Sequence, residues 1–398
     1  MWQWCDKGEE TQAAIQVADQ LLDLGKSLLK SEPDKGGRLI AHAVRSHNLP
    51  KIEAMLKLGA TEPGMTVAIP ELDRDAWLLG VRNGVVDLRT GGLLVNNPAM
   101  LITKRCNASF DRTAECPRWL LFLGQVFQGD AETIETIQRA LGYTLTGENT
   151  EEKLFICHGY GSNGKSVYGN VVSAIMGDYS RMAPSSLLTL RRDADTGPRN
   201  DLAALAGSRY VSINELQSGD RLDEQIVKLL AGREPISARF LHKEFFEFIP
   251  TFTPWLRTNH KPIITGDDDG IWRRLVLLAF RRQFTGSECD PYLESKLLDE
   301  RDGILTWMVE GTLKWRKDGL KLSPAIKQEV ATYRKDSDLL GEFLDERCVA
   351  DPNQRTEQGE LFTGYQRWCE SNGVKAGAKA NLTRRLAERG HAATKSNG

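Results

Sequence analysis

Apolar residues near the start of the chain recur at three- and four-residue steps, which is the period of a helix. Over residues 9–30 this pattern predicts one helix, with an apolar stripe formed by Ala13, Val17, Leu21, Leu24 and Leu28. A second helical pattern covers residues 38–57 and is broken near Pro50, because proline lacks the backbone donor that a helix uses. The first part of the chain is therefore expected to be helical.

The period changes between residues 77 and 95, where short apolar runs are separated by turn residues. Asn83-Gly84 lies between two such runs, and this dipeptide is typical of a type I′ hairpin. Thr90-Gly91-Gly92 marks a further turn. A small hairpin sheet is therefore predicted here.

Helical patterns return at 117–128, beginning with Pro117, and at about 130–142. In the second of these, Asp130 is expected to cap the first turn and Gly142 to end the helix, since these residue types favour those positions.

From residue 151 the chain alternates short apolar runs with loops and helical patterns, as in an α/β layer. The predicted buried strands are KLFICH (153–158), RYVSIN (209–214) and FTPWLRTN (252–259), and the predicted helices are NGKSVYGNVVSAIM (163–176), 303–315 and 325–346. The chain loosens near Asp351-Pro352, and residues 357–398 carry two short helical patterns. A length of 398 residues fits two or three domains of ~100–200 residues each.

Composition narrows the class of protein only slightly. The formal net charge is −2 and the isoelectric point is near 6.4, so any contact with nucleic acid must come from local basic patches. The seven cysteines form no CxxC pair and no metal-ligand cluster, which is typical of reduced thiols in an intracellular protein. No apolar run approaches the ~18 residues of a membrane span, and no signal pattern opens the chain. A soluble, cytoplasmic protein is expected.

The segment Gly159-Tyr160-Gly161-Ser162-Asn163-Gly164-Lys165-Ser166 matches the phosphate-loop pattern G-x-x-x-x-G-K-[ST], with a predicted strand before it and a helix after it. Backbone N–H groups of such a loop converge on phosphate, and the helix start adds its positive dipole end. Lys165 would neutralise the β- and γ-phosphates, and Ser166 would ligate Mg²⁺. The predicted nucleotide contacts are Gly159, Gly161, Ser162, Asn163, Gly164, Lys165, Ser166 and Val167. The alternative is a Gly/Ser turn that happens to end in Lys-Ser, which the flanking strand and helix disfavour.

A phosphate loop requires an acid that holds metal and orients water. Glu215 ends the apolar run YVSIN, where a parallel sheet would open toward the phosphates. An acid after a strand is otherwise usually solvated, and only the loop makes the functional interpretation preferable. Asn214, beside it, is neutral where a second carboxylate could stand, so one acid is expected to carry most of the metal binding.

Three further polar residues lie beside the third and fourth apolar runs: Asn259 follows the third, and Arg273 and Arg274 precede the fourth. Asn259 could sense the γ-phosphate or position the attacking water, although without the other motifs an ordinary Asn-His turn would be the better explanation. Arg273 and Arg274 leave the turn DDDGIW and enter a strand, and their guanidinium groups suit a phosphate. A surface ion pair is the better explanation for one of the two.

The segments GYGSNGKS, SINE, WLRTN and IWRR stand in this order within about a hundred residues, and together they resemble the phage and plasmid primase-helicase family of helicase superfamily 3. That family includes the satellite-phage alpha protein and the poxvirus primase-helicase. LLGVRNGVVDLRTGGLL, CPRWLLFLGQVF and IQRALGYTLTGENTEEKLFICHG are similar to its entry domain, RLDEQIVKLLAGREPISARFLHKEFFEFIPTF to its middle motif, and FLDERCVADPNQ with LFTGYQRWCESNGV to its C-terminal module. The resemblance covers about residues 70–390.

This resemblance implies an AAA+-related ATPase that uses ATP and Mg²⁺ and works as a ring, usually of six subunits. Lys165, Ser166, Glu215 and Asn259 would then act in one subunit, and Arg273 or Arg274 would reach the site of the next as an arginine finger. The sequence departs from the family at Asn214 and at the front end, where about 70 residues are too few for a primase domain. The chain is expected to be a helicase-only protein or a fragment of a larger one.

Two basic segments are predicted to contact DNA. ISARFL and EFFEFI form a predicted hairpin joined at His242-Lys243, which in the resembling helicases lines the ring pore. Lys243 would bind phosphate, His242 and Arg239 would assist it, and Phe245 could stack on a base, unless the hairpin is an ordinary surface feature.

The C-terminal tail is the second basic segment. Residues 375–398 contain six Lys or Arg (375, 379, 384, 385, 389 and 395) and one acid, Glu388. Arg384 and Arg385 would lie on the recognition helix of a winged-helix module, although basic helical faces are more often merely solvated.

The predicted fold class is α/β, with a P-loop AAA+-like superfamily 3 core, a mainly helical N-terminal domain and a small winged-helix-like C-terminal module. The predicted domains are a helical segment (1–65), a helical and hairpin domain (66–150), the ATPase domain (151–335) and the C-terminal module (336–398).

The resulting prediction is an ATP-dependent DNA helicase or translocase that unwinds duplex DNA during replication of a phage or other mobile element, in the cytoplasm of a bacterial host. Its expected partners are single-stranded and forked DNA and further copies of the chain in a hexamer, and a primase is a further candidate partner. The alternative is a nucleotide-switched initiator that binds origin DNA and recruits a host helicase. A small-molecule P-loop kinase fits less well, because no acceptor-pocket motif is evident.

Overall fold

The fold is given by a computed structural model of the chain. It describes residues 8–62, 64, 66–190, 199–264, 269–351, 353–372, 376–391 and 393–394. The chain divides into two compact units, residues 1–110 and residues 111–398. The four-domain division expected from the sequence stays a prediction.

The first unit begins with three helices: α1 (Glu9–Leu28), α2 (Pro33–Ser46) and α3 (Leu49–Gly59). The predicted interruption near Pro50 is the boundary between α2 and α3, and Pro50 lies in the first turn of α3, where its missing N–H costs nothing.

The predicted apolar stripe of α1 is wrong. The helix buries Ala14, Ala18 and Gly25, whereas Val17 and Leu24 are exposed. Small residues take the buried face because α2 approaches closely: a Cβ atom on Gly25 would lie 2.8 Å from Cγ1 of Ile40. Periodicity alone favours the large residues, but the close crossing admits only small ones.

A three-stranded antiparallel sheet completes the first unit, with strands β1 (Leu78–Val81), β2 (Gly84–Asp87) and β3 (Gly92–Leu94) in that order. The predicted hairpin is therefore present, but its two-residue turn is Arg82-Asn83, because Gly84 already pairs with Val81. Gly84 is needed in the strand, where a Cβ atom would lie 2.5 Å from the carbonyl oxygen of Leu94.

The second unit begins with helices α4 (Pro117–Val126) and α5 (Ala131–Leu145). Asp130 caps α5 as predicted, since its carboxylate accepts a 3.0 Å hydrogen bond from the Thr133 N–H. The predicted end of α5 at Gly142 is wrong, because the helix continues to Leu145.

Gly142 does not end the helix but allows a second helix to pack closely against it. Helix α11 (Arg301–Asp318) crosses α5 so closely that a Cβ atom on Gly142 would lie 2.1 Å from the Thr312 nitrogen. Gly311 fits the same crossing from the other side, where a Cβ atom would lie 2.0 Å from the Gln138 carbonyl oxygen.

The centre of the second unit is a five-stranded parallel sheet. Its strands are β4 (Leu154–His158), β5 (Ser180–Ala183), β6 (Tyr210–Asn214), β9 (Thr253–Thr258) and β10 (Leu275–Ala279), in the order β10-β4-β9-β6-β5. The helices between them are α6 (Lys165–Met176), α7 (Asn200–Ala203), α8 (Glu224–Leu230) and α9 (Asp269–Trp272). This mixed α/β architecture with a parallel sheet confirms that part of the predicted fold class.

The three predicted strands of this sheet are confirmed as β4, β6 and β9. Every residue of β9 is buried, as expected of a central strand covered on both faces. Phe155 on β4 stacks on Trp255 on β9 with ring centroids 4.3 Å apart. All five strands are parallel, so their carboxyl ends lie at one edge of the sheet.

A separate two-stranded hairpin, β7 (Ile236–Ala238) and β8 (Phe246–Phe248), lies between α8 and β9 in the chain. The predicted hairpin is therefore present, but its strands are shorter than expected. Ala238 pairs with Phe246, which leaves residues 239–245 as the connecting loop.

The remaining helices are α10 (Leu293–Leu298), α12 (Pro324–Asp336), α13 (Leu339–Arg347), α14 (Gln358–Ser371) and α15 (Lys379–Glu388). The single helix predicted at 325–346 is two helices, because Asp338 caps a new one by accepting a 3.0 Å hydrogen bond from the Gly341 N–H. In the described part of 336–398 the elements are helices, so the winged-helix form stays a prediction. Among the described residues, no helix has the length and apolarity needed to cross a membrane.

We expect Gly142→Ala to destabilise the protein by roughly 1–3 kcal/mol, because the new methyl group would overlap the backbone of α11. Gly124→Ala in α4 is the matched control, since a Cβ atom there meets no atom within 4 Å. Alanine should be neutral or stabilising at that position, because it favours helix more than glycine does. Urea unfolding midpoints of the two variants provide the measurement, and equal midpoints would contradict the close crossing.

Candidate functional site

The loop between β4 and α6 has the shape of an anion cradle. Gly164 precedes the first residue of α6 with a left-handed φ of 84°, a conformation that glycine adopts without strain. A Cβ atom on Gly164 would also lie 2.9 Å from the Phe122 ring of α4. Helix α6 therefore begins directly after a tightly packed turn, and its first backbone N–H groups are available to an anion, as in anion sites at helix N-termini.

Residues 280–284, which sequence reasoning missed, form hydrogen bonds that fix this loop. The residues directly after β10 bond to it three times: Phe280 N–H donates to the His158 carbonyl (2.7 Å), Gln283 Nε2 to the Tyr160 carbonyl (2.7 Å), and Phe284 N–H to the Ser162 carbonyl (2.7 Å). Asn163 Nδ2 donates in return to the Phe280 carbonyl at 3.1 Å. The loop is thus fixed in shape by its neighbour in the sheet.

Gly159 is part of this support and does not line the cleft. A Cβ atom on it would lie 2.2 Å from the Phe280 carbonyl oxygen, so only glycine fits. Its own carbonyl accepts a hydrogen bond from the Lys165 ammonium.

Lys165 is 6% exposed, and its Nζ also donates to Oδ1 of Asn163 at 2.9 Å. Burial lowers the pKa of the Lys165 ammonium, and the nearby Cys157 and Glu215 act in the opposite direction. Lys165 thus provides a buried ammonium group at the first position of α6, directly after the loop.

The opposite wall of the site comes from the carboxyl ends of β6 and β9. Asn214 and Glu215 follow β6, and Thr258 and Asn259 follow β9. The Glu215 N–H donates to the Arg257 carbonyl at 2.8 Å, which joins the two strand ends. Asn259 also lies in a turn, as its alternative explanation proposed, because the Thr258 hydroxyl donates to the His260 carbonyl at 2.8 Å.

These walls enclose one cleft of about 750 Å³ at the carboxyl edge of the sheet. Its lining comprises Gly161, Ser162, Asn163, Gly164, Lys165, Ser166, Val167, Asn170, Asn214, Glu215, Arg257, Thr258 and Asn259. All predicted nucleotide contacts except Gly159 therefore line it, together with the predicted acid and the predicted polar sensor.

Ser166 and Glu215, the predicted metal ligands, line the same cleft. Their hydroxyl and carboxylate oxygens are the hard donors that Mg²⁺ prefers. Across the described residues there is no group of three or more His, Cys, Asp or Glu that could hold a metal alone. The donor set therefore fits an ion that takes its remaining ligands from phosphate and water.

Sequence reasoning missed Arg257, although it quoted the segment WLRTN. Arg257 is 8% exposed and lines the cleft from β9. An arginine inside a predicted buried strand that precedes Asn259 was the available signal, since a buried guanidinium requires partners.

The two predicted arginine-finger residues lie away from this cleft. They precede β10, whose first residue, Leu275, pairs with Leu154 at the start of β4. Arg273 and Arg274 are therefore at the amino edge of the sheet, separated from the loop by the length of a five-residue strand, ~16 Å.

The surroundings of the two arginines differ. Arg274 is 11% exposed and donates to the Glu152 carboxylate at 2.9 Å and to the Gly270 carbonyl at 2.7 Å. Arg273 is 66% exposed, and its guanidinium lies 3.6 Å from the same carboxylate. Arg274 thus has the ion pair that was the alternative explanation, and Arg273 projects to the surface.

The predicted DNA-contacting residues of the hairpin lie together in its loop. Lys243 and His242 are exposed there, and the Arg239 guanidinium stacks 4.6 Å from the Phe245 ring centroid. His242 has a left-handed φ of 60°, which marks the tight bend. Phe240, Leu241 and Phe245 are exposed beside it.

The two predicted tail arginines are placed differently on α15. Arg384 is exposed, with Glu388 3.9 Å away. Arg385 is mostly covered, and its guanidinium lies 3.8 Å from the Asp338 carboxylate, which also binds Arg389. Lys375 and Lys395 lie outside the described residues.

The family described as D5 N terminal like matches residues 1–128. This match includes residues 1–65, which the motifs left without a functional assignment.

Two curated relatives are similar over most of the chain. "Putative helicase L207/L206" of Acanthamoeba polyphaga mimivirus is 29% identical over 325 residues, which are 76% of this chain and 34% of the relative. "Putative helicase 022R" of Frog virus 3 is 24% identical over 285 residues, which are 67% of this chain and 29% of the relative. The chain thus spans about a third of the length of these relatives.

Among solved structures, the chain is similar to the apo structure named NrS-1 C terminal region, with 14% identity and a TM-score of 0.47 over 71% of this chain and 73% of that one. A second structure of that region, residues 305–718, gives 12% identity and a TM-score of 0.44, with 72% and 75% covered.

The D5-type match at the N-terminus, the viral relatives and the ordered segments GYGSNGKS, SINE, WLRTN and IWRR agree with one another. Together they support the resemblance of this chain to the primase-helicase type of helicase superfamily 3.

Proposed function

We propose that this chain is an ATP-dependent DNA helicase whose nucleotide site is the cleft at the carboxyl edge of the five-stranded sheet. The observation that carries the proposal is the meeting of Lys165, Ser166, Glu215 and Asn259 on one 750 Å³ cleft. These residues come from three separate segments, and together they provide a cation, two hard oxygen donors and a polar amide. This set fits a metal-bound polyphosphate and a water molecule.

The strand order supports an AAA+-like core with defined roles for these residues. Strand β9 lies between β4, which leads into the loop, and β6, which leads into Glu215. Asn259 at the end of β9 is therefore placed between the phosphate cradle and the acid. In this arrangement Lys165 and the loop amides bind the β- and γ-phosphates, Glu215 accepts a proton from the attacking water, and Asn259 orients that water.

Ser166 and Glu215 would hold Mg²⁺ together with the phosphate oxygens. The bound ion would supply charge neutralisation at the transferring phosphoryl group. The chain's own contribution is to place the hydroxyl at the start of α6 and the carboxylate at the end of β6.

Arg273 is the better candidate for an arginine finger. It is exposed and stands at the sheet edge opposite to its own cleft, so it would reach the cleft of a neighbouring copy in a ring. Arg274, which is held by Glu152 and the Gly270 carbonyl, would support the turn that presents it. A ring of six copies is the expected assembly.

Unwinding is proposed because the two viral relatives carry helicase names and because the hairpin of β7 and β8 presents Lys243 and His242 on an exposed loop. In a ring, such loops would surround a DNA strand and bind its phosphates. A nucleotide-switched initiator would share the cleft but would bind duplex DNA without separating it.

We expect Lys165→Ala to fold normally and to lower the ATP hydrolysis rate by at least ~10²-fold, because it removes the cation that faces the phosphates. Lys317→Ala, at an exposed position on α11, is the control and should retain wild-type turnover. Steady-state hydrolysis by the purified proteins in the presence of DNA is the measurement. Wild-type turnover by Lys165→Ala would refute the assignment of the cleft.

A mixing experiment supplies the control for folding and assembly. Lys165→Ala has an intact Arg273, and an inactive Arg273→Ala has an intact cleft. Mixed rings should therefore regain part of the hydrolysis, since one subunit completes the site of the other. If the mixture stays as inactive as its components, Arg273 does not act between subunits.

We expect Lys243→Ala to retain basal ATP hydrolysis and to lose strand separation on a forked DNA substrate, because a pore phosphate contact is removed while the cleft is unchanged. Lys335→Ala, on an exposed face of α12, is the matched control. Normal unwinding by Lys243→Ala would exclude the hairpin from DNA translocation. Tight duplex binding by the wild-type protein without any unwinding would favour the initiator.

A further inference from the structure

Arg257 is a buried cation that has no carboxylate partner among the residues that the structure describes. Its guanidinium donates to four neutral acceptors: the Asn214 Oδ1 (2.9 Å), the Asn170 Oδ1 (3.0 Å), the Ser166 carbonyl (3.1 Å) and the Ser212 hydroxyl (3.2 Å). Within the described residues, no Asp or Glu oxygen lies within 4.0 Å of it. A buried guanidinium is usually paired with an acid, because burial of an uncompensated charge is costly. Arg257, which is an exception to this rule, lines the cleft.

The contacts of Arg257 reach both predicted metal ligands. Its side chain binds the main-chain carbonyl of Ser166, and its own carbonyl accepts the N–H of Glu215 at 2.8 Å. The guanidinium also holds the side chain of Asn214, the residue directly before Glu215. One residue on β9 thus links the start of α6 to the end of β6.

The sequence of α6 is adapted to this arginine. A Cβ atom on Gly169 would lie 2.5 Å from Cδ of Arg257 and 2.6 Å from one of its terminal nitrogens. The next residue, Asn170, donates through Nδ2 to the Glu294 carboxylate at 3.0 Å, which directs its Oδ1 toward the guanidinium. Helix α6 therefore provides a space and an acceptor for Arg257 on consecutive residues.

Asn214 has a physical reason to be neutral. A carboxylate at this position would face the Nε of Arg257 at the present hydrogen-bond distance and would form an ion pair with it. The pair would cancel a positive charge that now faces the cleft. The amide accepts the same hydrogen bond and leaves that charge available to an anion.

We infer that Arg257 is a positioning residue of the nucleotide site, which fixes Ser166 relative to Glu215 and adds a second permanent positive charge beneath the phosphates. The inference rests on the proposed nucleotide function of the cleft. Two effects follow, and they are separable. The hydrogen bonds govern how well Mg²⁺ promotes nucleotide binding, and the charge governs how tightly the phosphates bind without Mg²⁺.

The test is calorimetric titration of the full chain with ADP, in EDTA and across a series of Mg²⁺ concentrations. Arg257→Lys keeps the charge but cannot reproduce the planar fork of donors. We expect it to bind ADP in EDTA within about threefold of the wild type and to require roughly tenfold more Mg²⁺ for half-maximal enhancement. Arg257→Gln loses the charge as well, so its affinity for ADP should fall at least about tenfold in EDTA also.

Arg209 provides the matched control. It is likewise a buried arginine, but it lies just before β6, at the other edge of the sheet, where it stacks 4.5 Å from the Tyr179 ring centroid and donates to the Leu145 carbonyl. Arg209→Lys and Arg209→Gln should lower the melting temperature without moving the Mg²⁺ midpoint. If the Arg257 variants behave in the same way, Arg257 is only structural and the inference is wrong.

Gly169→Ala covers the case in which the Arg257 variants do not fold. The added methyl group would displace the guanidinium without removing any polar group, so the Mg²⁺ midpoint should again rise several-fold. A wild-type midpoint in this variant would overturn the positioning role. If the wild-type chain itself does not bind ADP, the proposed function fails; if it binds ADP and Lys165→Ala does not, a negative result for the Arg257 variants rejects only the present inference.

Discussion

Positive charge buried at the carboxyl edge of the parallel sheet is the constraint on which the rest of the second unit depends. Lys165 and Arg257 are 6% and 8% exposed, and their hydrogen bonds go to carbonyl, amide and hydroxyl oxygens. Among the described residues that line the cleft, Glu215 is the one carboxylate. Two buried cations and one acid favour an anionic ligand, because its negative charge would compensate the positive charge that the protein leaves unpaired.

The scaffold around the cleft keeps these charges in place. Phe122 of α4 packs against Gly164, and Trp119 stacks on Tyr168 of α6 with ring centroids 5.7 Å apart. The N–H groups of Arg118 and Trp119 donate to the Glu300 carboxylate, which joins the start of α4 to the residue before α11. The helices at residues 117–145 therefore support the loop at 159–166 directly, and they belong to the same compact unit as the sheet.

The sequence was sufficient where a structural feature depends on residues that are close together in the chain. The loop at 159–166, the acid after β6 and the amide after β9 were predicted because each follows a recognisable apolar run, and the sheet then brings them to one cleft. Their catalytic roles remain predictions. The strands β4, β6 and β9 and most of the longer helices followed from periodicity for the same reason, although several helix bounds did not.

Contacts between distant segments could not be predicted in this way. Gly142 resembles a helix stop in the sequence, but the backbone of α11, about 170 residues later, requires a glycine inside the helix. The partners of Arg257 come from 43 to 91 residues away, so no local pattern reveals them. Burial distinguishes Arg274 from Arg273, although the two arginines are adjacent in the chain and both lie near the Glu152 carboxylate. The small buried face of α1 likewise depends on how closely α2 approaches.

The dependence of affinity on the number of phosphates tests the central claim most directly. Calorimetric titration of the wild-type chain with adenosine, AMP, ADP and ATP in the presence of Mg²⁺ isolates the contribution of the polyphosphate, since the base and the sugar stay the same. The buried cations predict that adenosine and AMP bind weakly and that affinity rises by at least about tenfold with the second phosphate. Equal affinities for adenosine and ATP would show that the cleft does not recognise phosphate charge, and they would contradict the account.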